Sequence, residues 1–271
     1  MFEPVSVLSE VIEIARGAGE LIRSIYEKGD YVSEVKQDKT PVTSADYAAH
    51  HFIMNKLSSL TPEIPILSEE QANIPLEERQ TWQTYWLVDP LDGTQEFVSG
   101  SGDFATEIAL IHDNQPVLGV VYGPIVQILY AAVKGHGAFK EQAGKRTKIR
   151  SRHYDSPPEQ IRVATSRVQR PALLQAILNC NYHYKLYPLG SASLKSCLVA
   201  EGVADCYIRV GPTGEWDTGA PQIILEEAGG GLLDLHLRDL SYNQRESLEN
   251  PNFISLGDRQ LPWRDILKNP S

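Results

Sequence analysis

Between Val7 and Tyr26 apolar side chains recur every three or four positions, at Val7, Leu8, Val11, Ile14, Ala15, Ala18, Leu21, Ile22 and Ile25. That spacing lines one face of a helix, and Gly29 stands where it should stop. A polar stretch over residues 36–43 leads into a second helical pattern over residues 44–60, with Thr43 or Ser44 able to cap it and Asp46 in its first turn. The rhythm then shortens. Apolar runs at residues 64–67, 85–88, 105–111, 117–122 and 128–133 are separated by turn formers such as Asp113-Asn114 and Gly123-Pro124, which predicts a largely antiparallel sheet. From about residue 155, strands at residues 161–165, 185–188, 205–210 and 232–235 alternate with helices at residues 171–178, 191–201 and 218–228. Such alternation predicts an α/β half. No repeat, low-complexity tract or flexible linker interrupts the chain, so we expect two tightly packed subdomains, residues 1–156 (α+β) and residues 157–271 (α/β), meeting near Pro157-Pro158.

Composition narrows the function classes. With 271 residues, 42% of them hydrophobic, the chain can bury a substantial core. A formal net charge of -10 repels polyanions and argues against a nucleic acid polymer as partner. A small anionic substrate would need local cations. Three cysteines, Cys180, Cys197 and Cys206, have no Cys-x-x-Cys spacing, so neither a disulfide framework nor a zinc site is expected and a reducing cytoplasm fits. The start Met1-Phe2-Glu3-Pro4 lacks a basic, then apolar, signal pattern, and no run of about 18 apolar residues occurs. Secretion and membrane spanning are therefore not expected.

The chemistry concentrates where apolar runs end. Tyr85-Trp86-Leu87-Val88 delivers Asp89 and Asp92 into a predicted turn, Asp89-Pro90-Leu91-Asp92-Gly93-Thr94. Two ionised carboxylates placed together repel unless a cation neutralises them, and oxygen ligands suit magnesium. Leu91 can add its backbone carbonyl, and Gly93-Thr94 can present amides to an anion. The bland alternative is a surface turn rich in turn formers. A third carboxylate, Glu69, follows the run 64–67, and Asp217 precedes a helix that it could cap or serve as a metal ligand. Gly190-Ser191 opens the helix 191–201, where free amides favour an anion. Lys195, one turn on, could reach a phosphate or ribose or be an exposed helix lysine. Alternating Arg146, Lys148, Arg150 and Arg152 would share one face of a strand, as an edge guard rather than an electrostatic gate. His50 reads as a surface histidine, and Gly229-Gly230-Gly231 as a helix stop.

Taken in order, Pro41-Val42-Thr43-Ser44-Ala45-Asp46, Leu67-Ser68-Glu69-Glu70, Trp86 to Phe97 and Trp216-Asp217-Thr218 resemble the inositol monophosphatase superfamily over nearly the whole chain. Within it, Leu189 to Lys195, Gly211-Pro212-Thr213 and Arg245 to Pro251 are most similar to bacterial 3'(2'),5'-bisphosphate nucleotidases of the CysQ type. The resemblance implies a layered αβαβα sandwich of the sugar phosphatase type. It implies Glu69, Asp89, Leu91 through its carbonyl, Asp92 and Asp217 as metal ligands for Mg2+, two or three ions per site. Glu69, Asp46 and Thr94 would be catalytic, activating water. Glu69, Leu91, Asp92, Gly93, Thr94, Gly190, Ser191, Lys195 and Asp217 would bind substrate, namely adenosine 3',5'-bisphosphate. A cytoplasmic enzyme is implied, with peripheral attachment to the inner membrane and a homodimer left open. The alternatives are an inositol monophosphatase-like sugar phosphatase and a non-catalytic phosphonucleotide-binding protein. A phosphoaspartate mechanism of the haloacid dehalogenase kind is disfavoured because two residues separate Asp89 from Asp92. Gln95, where lysine is often found, Glu107, where asparagine is usual, and Pro221, in the first turn after Asp217, depart from the pattern.

Overall fold

The computed structural model describes residues 3–29, 31–35, 41–167 and 171–268. Residues 36–40 of the polar stretch lie outside the described residues. In chain order the first elements are α1 (Leu8–Lys28), β1 (Ser33–Val35), β2 (Pro41–Thr43), α2 (Ser44–Leu60), β3 (Ile66–Ser68), α3 (Leu76–Arg79), β4 (Thr84–Asp92) and α4 (Thr94–Val98). Then come β5 (Ala105–His112), β6 (Gln115–Gly123), β7 (Ile128–Val133), β8 (Gly137–Gln142) and β9 (Lys145–Lys148). The remainder is β10 (Gln160–Thr165), α5 (Pro171–Ile177), β11 (His183–Pro188), α6 (Ala192–Ala200), β12 (Cys206–Arg209), α7 (Trp216–Glu227), β13 (Gly231–Asp234), β14 (Phe253–Leu256) and α8 (Trp263–Ile266).

The first sheet has seven strands in the order β3-β4-β5-β6-β7-β8-β9, antiparallel except for the parallel β3–β4 pair. Helices cover both its faces, which explains why its central strands read as near-continuous apolar runs. Side chains alternate across a strand. On β4 and β5, Trp86, Val88, Ile108 and Leu110 pack with Val11, Ile53 and Leu57 from α1 and α2. Tyr85, Leu87, Ala109 and Ile111 point the other way, onto α6 and α7. The second sheet, in the order β11-β10-β12-β14-β13, presents Ala164, Tyr207 and Phe253 to that same middle helical layer. Its opposite face, with Val163, Ile208 and Ile254, is covered by Leu174 of α5 and by Trp263 and Ile266 of α8. The layers therefore run αβαβα, as the family resemblance implied. The middle core mixes residues from before and after the Pro157-Pro158 division.

Several local expectations change. The cationic strand is shorter: β9 ends at Lys148, so Arg150 and Arg152 lie beyond it. It is the edge of its sheet, and Arg146 lies over Phe139 and pairs with Glu141, as a guarded edge would. Periodicity does not reveal β14, because its four residues, Phe253–Leu256, are buried throughout, Ser255 included. α7 starts at Trp216, so Asp217 lies inside its first turn rather than capping it, and Pro221 lies beyond that turn. Having no amide hydrogen, Pro221 leaves the Asp217 carbonyl without its usual helical donor. His50 is buried, not on the surface, and its Nδ1 lies 2.9 Å from Ser68 Oγ, tying α2 to β3.

Candidate active site

The predicted Asp89–Thr94 turn is instead the end of a strand. Asp89 pairs opposite Glu107 and Asp92 opposite Ala105, so three steps along β4 match two along β5. Without an irregularity, residues three apart would face opposite sides of the sheet. The bulge at Pro90-Leu91 supplies the extra residue and turns Asp92 to the same side as Asp89, toward α6 and α7. Gly93 then takes φ 95°, a left-handed conformation that favours glycine, and α4 begins at Thr94. From the facing layer α7 contributes Asp217, whose Oδ2 accepts from Gly214 N at 2.7 Å.

Asp89, Asp92, Glu107 and Asp217 each offer an oxygen within 4.8 Å of the others. Burial, then the charges of Glu69, Asp217, Asp92 and Glu107, pushes the Asp89 carboxyl well above its ordinary range. Asp217 is pushed up to about 8, first by burial and then by Asp92 and Glu69. Glu69 stands in a single 3-10 turn, Glu69–Gln71, immediately after β3, and lines the same cavity. The donor set is all oxygen, with no thiol or imidazole among the clustered groups. This composition suits a hard divalent cation, and a cation would relieve the repulsion that raises these acids.

The sign of that repulsion gives a test. Unfolded aspartates titrate at ~4, whereas burial, then Asp92 and Glu69, push Asp217 in the folded chain up to about 8. Proton binding therefore favours the folded form fully below ~4, and that contribution is lost as pH rises to about 8. In chelator, the melting temperature should fall from pH 5 to pH 8, and saturating magnesium should recover the loss. A metal-free melting temperature that holds or rises across this range would contradict the clustering.

Asp46 lies behind the cavity wall. Its Oδ2 accepts from Thr43 N at 2.8 Å and from Thr43 Oγ1 at 2.6 Å, closing a capping box at the start of α2. Its Oδ1 lies 3.0 Å from Thr94 Oγ1. The Thr94 hydroxyl also sits 3.3 Å from the Leu91 carbonyl, but with one hydrogen to give it donates to the nearer Asp46. Asp46 thus both caps a helix and orients Thr94.

The start of α6 departs from expectation in a useful way. Ser191 caps it, accepting from Leu194 N at 3.1 Å. Asp92 Oδ2 accepts from Ser193 N at 2.9 Å, from Ser193 Oγ at 2.8 Å and from Ser191 Oγ. The anion held at this helix N-terminus is the protein's own Asp92. Gly190 N donates to Asp103 Oδ2 at 2.9 Å, and a Cβ at Gly190 would fall 2.4 Å from Asp103 Cβ, so no larger residue fits without a shift. Lys195 is not an exposed helix lysine: it is 2% exposed, and its ammonium donates to the Leu189 and Gly190 carbonyls and lies 5.0 Å above the Tyr207 ring. Burial lowers its pKa to about 8.

Apart from Asp46, every residue expected in the centre lines one cavity of about 910 Å3. Two residues of the site are not signalled by the motifs. Arg209, at the end of β12, lines the wall with its Nε buried and unpartnered. Its signal was a lone cation closing an apolar strand just before Gly211-Pro212. Glu107 clusters with the acids from beneath the cavity lining, although its sequence position suggested only a less positive pocket. An acid inside the buried run Ala105 to Ile111 was the available sign.

A family profile for the inositol monophosphatase family matches residues 3–260. The chain belongs to the inositol monophosphatase family. Among curated members, a protein named 3'(2'),5'-bisphosphate nucleotidase CysQ from Aggregatibacter actinomycetemcomitans is 47% identical over 260 residues, covering 96% of each chain. The Escherichia coli K12 protein of the same name is 44% identical over 248 residues, 91% of this family member and 98% of that protein. A crystal structure of CysQ from Bacteroides thetaiotaomicron, described as a bacterial member of the inositol monophosphatase family, superposes with a TM-score of 0.79 at 36% identity, covering 94% and 98% of the two chains. In this family member no helix among the described residues is long and apolar enough to cross a membrane.

Proposed function

We propose that this chain is a magnesium-dependent 3'(2'),5'-bisphosphate nucleotidase that releases the 3'-phosphate of adenosine 3',5'-bisphosphate and leaves AMP. The observation that carries the reading is one cavity with clustered carboxylates on its floor and Lys195 and Arg209 on its walls. The substrate class comes from the relatives' names. The cytoplasm is the compartment we propose, where the thiols of Cys197 and Cys206 stay reduced.

We assign Glu69, Asp89, the Leu91 carbonyl, Asp92 and Asp217 to holding two or three magnesium ions. When bound, magnesium supplies Lewis-acid polarisation of the phosphoryl oxygens and makes water more acidic. The chain's own residues handle position and protons. Thr94, its hydrogen committed to Asp46, keeps its lone pairs for the attacking water and can take a proton from it while passing its own to Asp46. Burial, the leading cause, raises the Asp46 pKa and suits it to that acceptance. Glu69 is a second acceptor at the cavity edge. Water oxygen bonds to phosphorus while its proton passes through Thr94 to Asp46, the bond from phosphorus to the 3'-oxygen breaks, and that oxygen takes a proton from solvent in the open cavity and leaves as a hydroxyl. Gly93, Gly190 and Ser191 bring backbone close to the substrate, while Lys195 and Arg209 offset its negative charge.

Product analysis tests the reading. Chromatography of the reaction should give AMP and inorganic phosphate in equal amounts, and accumulation of the 3'-monophosphate instead would overturn it. Lys195→Met should raise KM for the bisphosphate by roughly tenfold with kcat little changed, since a charged hydrogen bond contributes about 1.5 kcal/mol or more. An unchanged KM in steady-state kinetics would remove Lys195 from substrate binding.

A further inference from the structure

Glu107 lies outside the ligand set carried by the family resemblance and does not line the cavity, yet it is buried directly against three acids that do. It is 1% exposed, and neither of its carboxyl oxygens has a hydrogen-bond partner, although Ser193 and Asp92 lie beside it. The β4–β5 register sets it directly across from Asp89, on the face that also receives Asp92 and Asp217. Like charges directly opposed on a sheet destabilise it, and a buried carboxylate left unsatisfied is costly. Among the described residues no cation answers it: Lys195 gives its ammonium to backbone carbonyls, and Arg209 gives a guanidinium hydrogen to the Pro212 carbonyl. One Glu107 oxygen lies within 4.8 Å of oxygens from Asp89, Asp92 and Asp217, and neither Glu107 oxygen is hydrogen-bonded, which describes a position for a divalent cation.

We propose that Glu107 is an additional metal-contacting residue of this chain, sharing a divalent cation with Asp89, Asp92 and Asp217. This inference rests on the metal-dependent reading of the site but adds a contact which that reading does not require. Isothermal titration of the purified full chain with Mn2+ tests it in wild type, Glu107→Gln and Glu107→Asn. We expect either variant to lose one bound equivalent or to weaken one class of site by at least about tenfold, the scale seen when groups supporting a metal are removed. In chelator the variants should melt above wild type, having lost a like charge, and should gain less on adding Mn2+. Unchanged stoichiometry and affinity in folded variants overturn the inference. Should neither variant fold, wild-type crystals soaked in Mn2+ decide. Anomalous density within roughly 2–2.5 Å of a Glu107 oxygen supports it, and ions held only by the other carboxylates overturn it. Hydrolysis of adenosine 3',5'-bisphosphate by wild type is measured separately. A chain that fails this but loses metal on Glu107→Gln keeps the inference and forfeits the nucleotidase reading.

Discussion

Asp89→Asn should lower phosphate release from adenosine 3',5'-bisphosphate by about a thousandfold at saturating magnesium. Asp89 occupies the meeting point of the centre: its carboxyl is buried, opposite Glu107 across the β4–β5 ladder and within the field of Glu69, Asp92 and Asp217. Asparagine keeps the shape but removes the charge and turns an amide donor toward oxygens awaiting a cation. Metal assistance of this kind is worth several kcal/mol, and each ~1.4 kcal/mol is a factor of ten in rate. The same change removes a like charge from a crowded group, so the metal-free variant should melt no lower than wild type. That pairing separates a lost ligand from a lost fold. Turnover within tenfold of wild type, measured as phosphate release across a magnesium titration, would remove Asp89 from the metal set.

Thr94→Val should reduce kcat by about a hundredfold while leaving KM within a few-fold, the lower range for losing a proton-handling group. Valine fills the same space but can neither donate to Asp46 Oδ1 nor accept from water. Thr94→Ser keeps the hydroxyl and should retain most of the activity. Asp46→Ala should fall as far as Thr94→Val and lose stability as well, because it also opens the capping box at Thr43, which is worth about 1 kcal/mol. If Thr94→Val kept full turnover in single-turnover measurements, the hydroxyl would have no part in the proton path.

Much of this was legible in the residues. Three- and four-residue spacing marked α1 and α2, and alternating or unbroken apolar runs marked β4 to β7, because burial imposes those periods. The acids at Glu69, Asp89, Asp92 and Asp217 could be named because each follows or precedes an apolar run whose end faces the cavity. Their meeting could not be derived from spacing. Asp89 and Asp92 share a face only through the bulge at Pro90-Leu91, and Asp217 joins them only because α7 packs between the two sheets. Nothing local to Glu107 announces that Asp89 stands opposite, since β4–β5 register belongs to the folded sheet. For Lys195 the sequence leaves a substrate contact and an exposed lysine both open, because its burial comes from Tyr207 of β12 and from carbonyls of the preceding loop. Long-range packing decided each of these points.

Substrate choice is tested most directly by kcat/KM for phosphate release from adenosine 3',5'-bisphosphate, its sulfated analogue, inositol 1-phosphate and fructose 1,6-bisphosphate at fixed magnesium. The predicted result is a preference of at least about a hundredfold for the adenosine bisphosphate over inositol 1-phosphate, which lacks a second phosphate, the scale of one or two charged contacts to that group. Equal or greater kcat/KM for inositol 1-phosphate would contradict it.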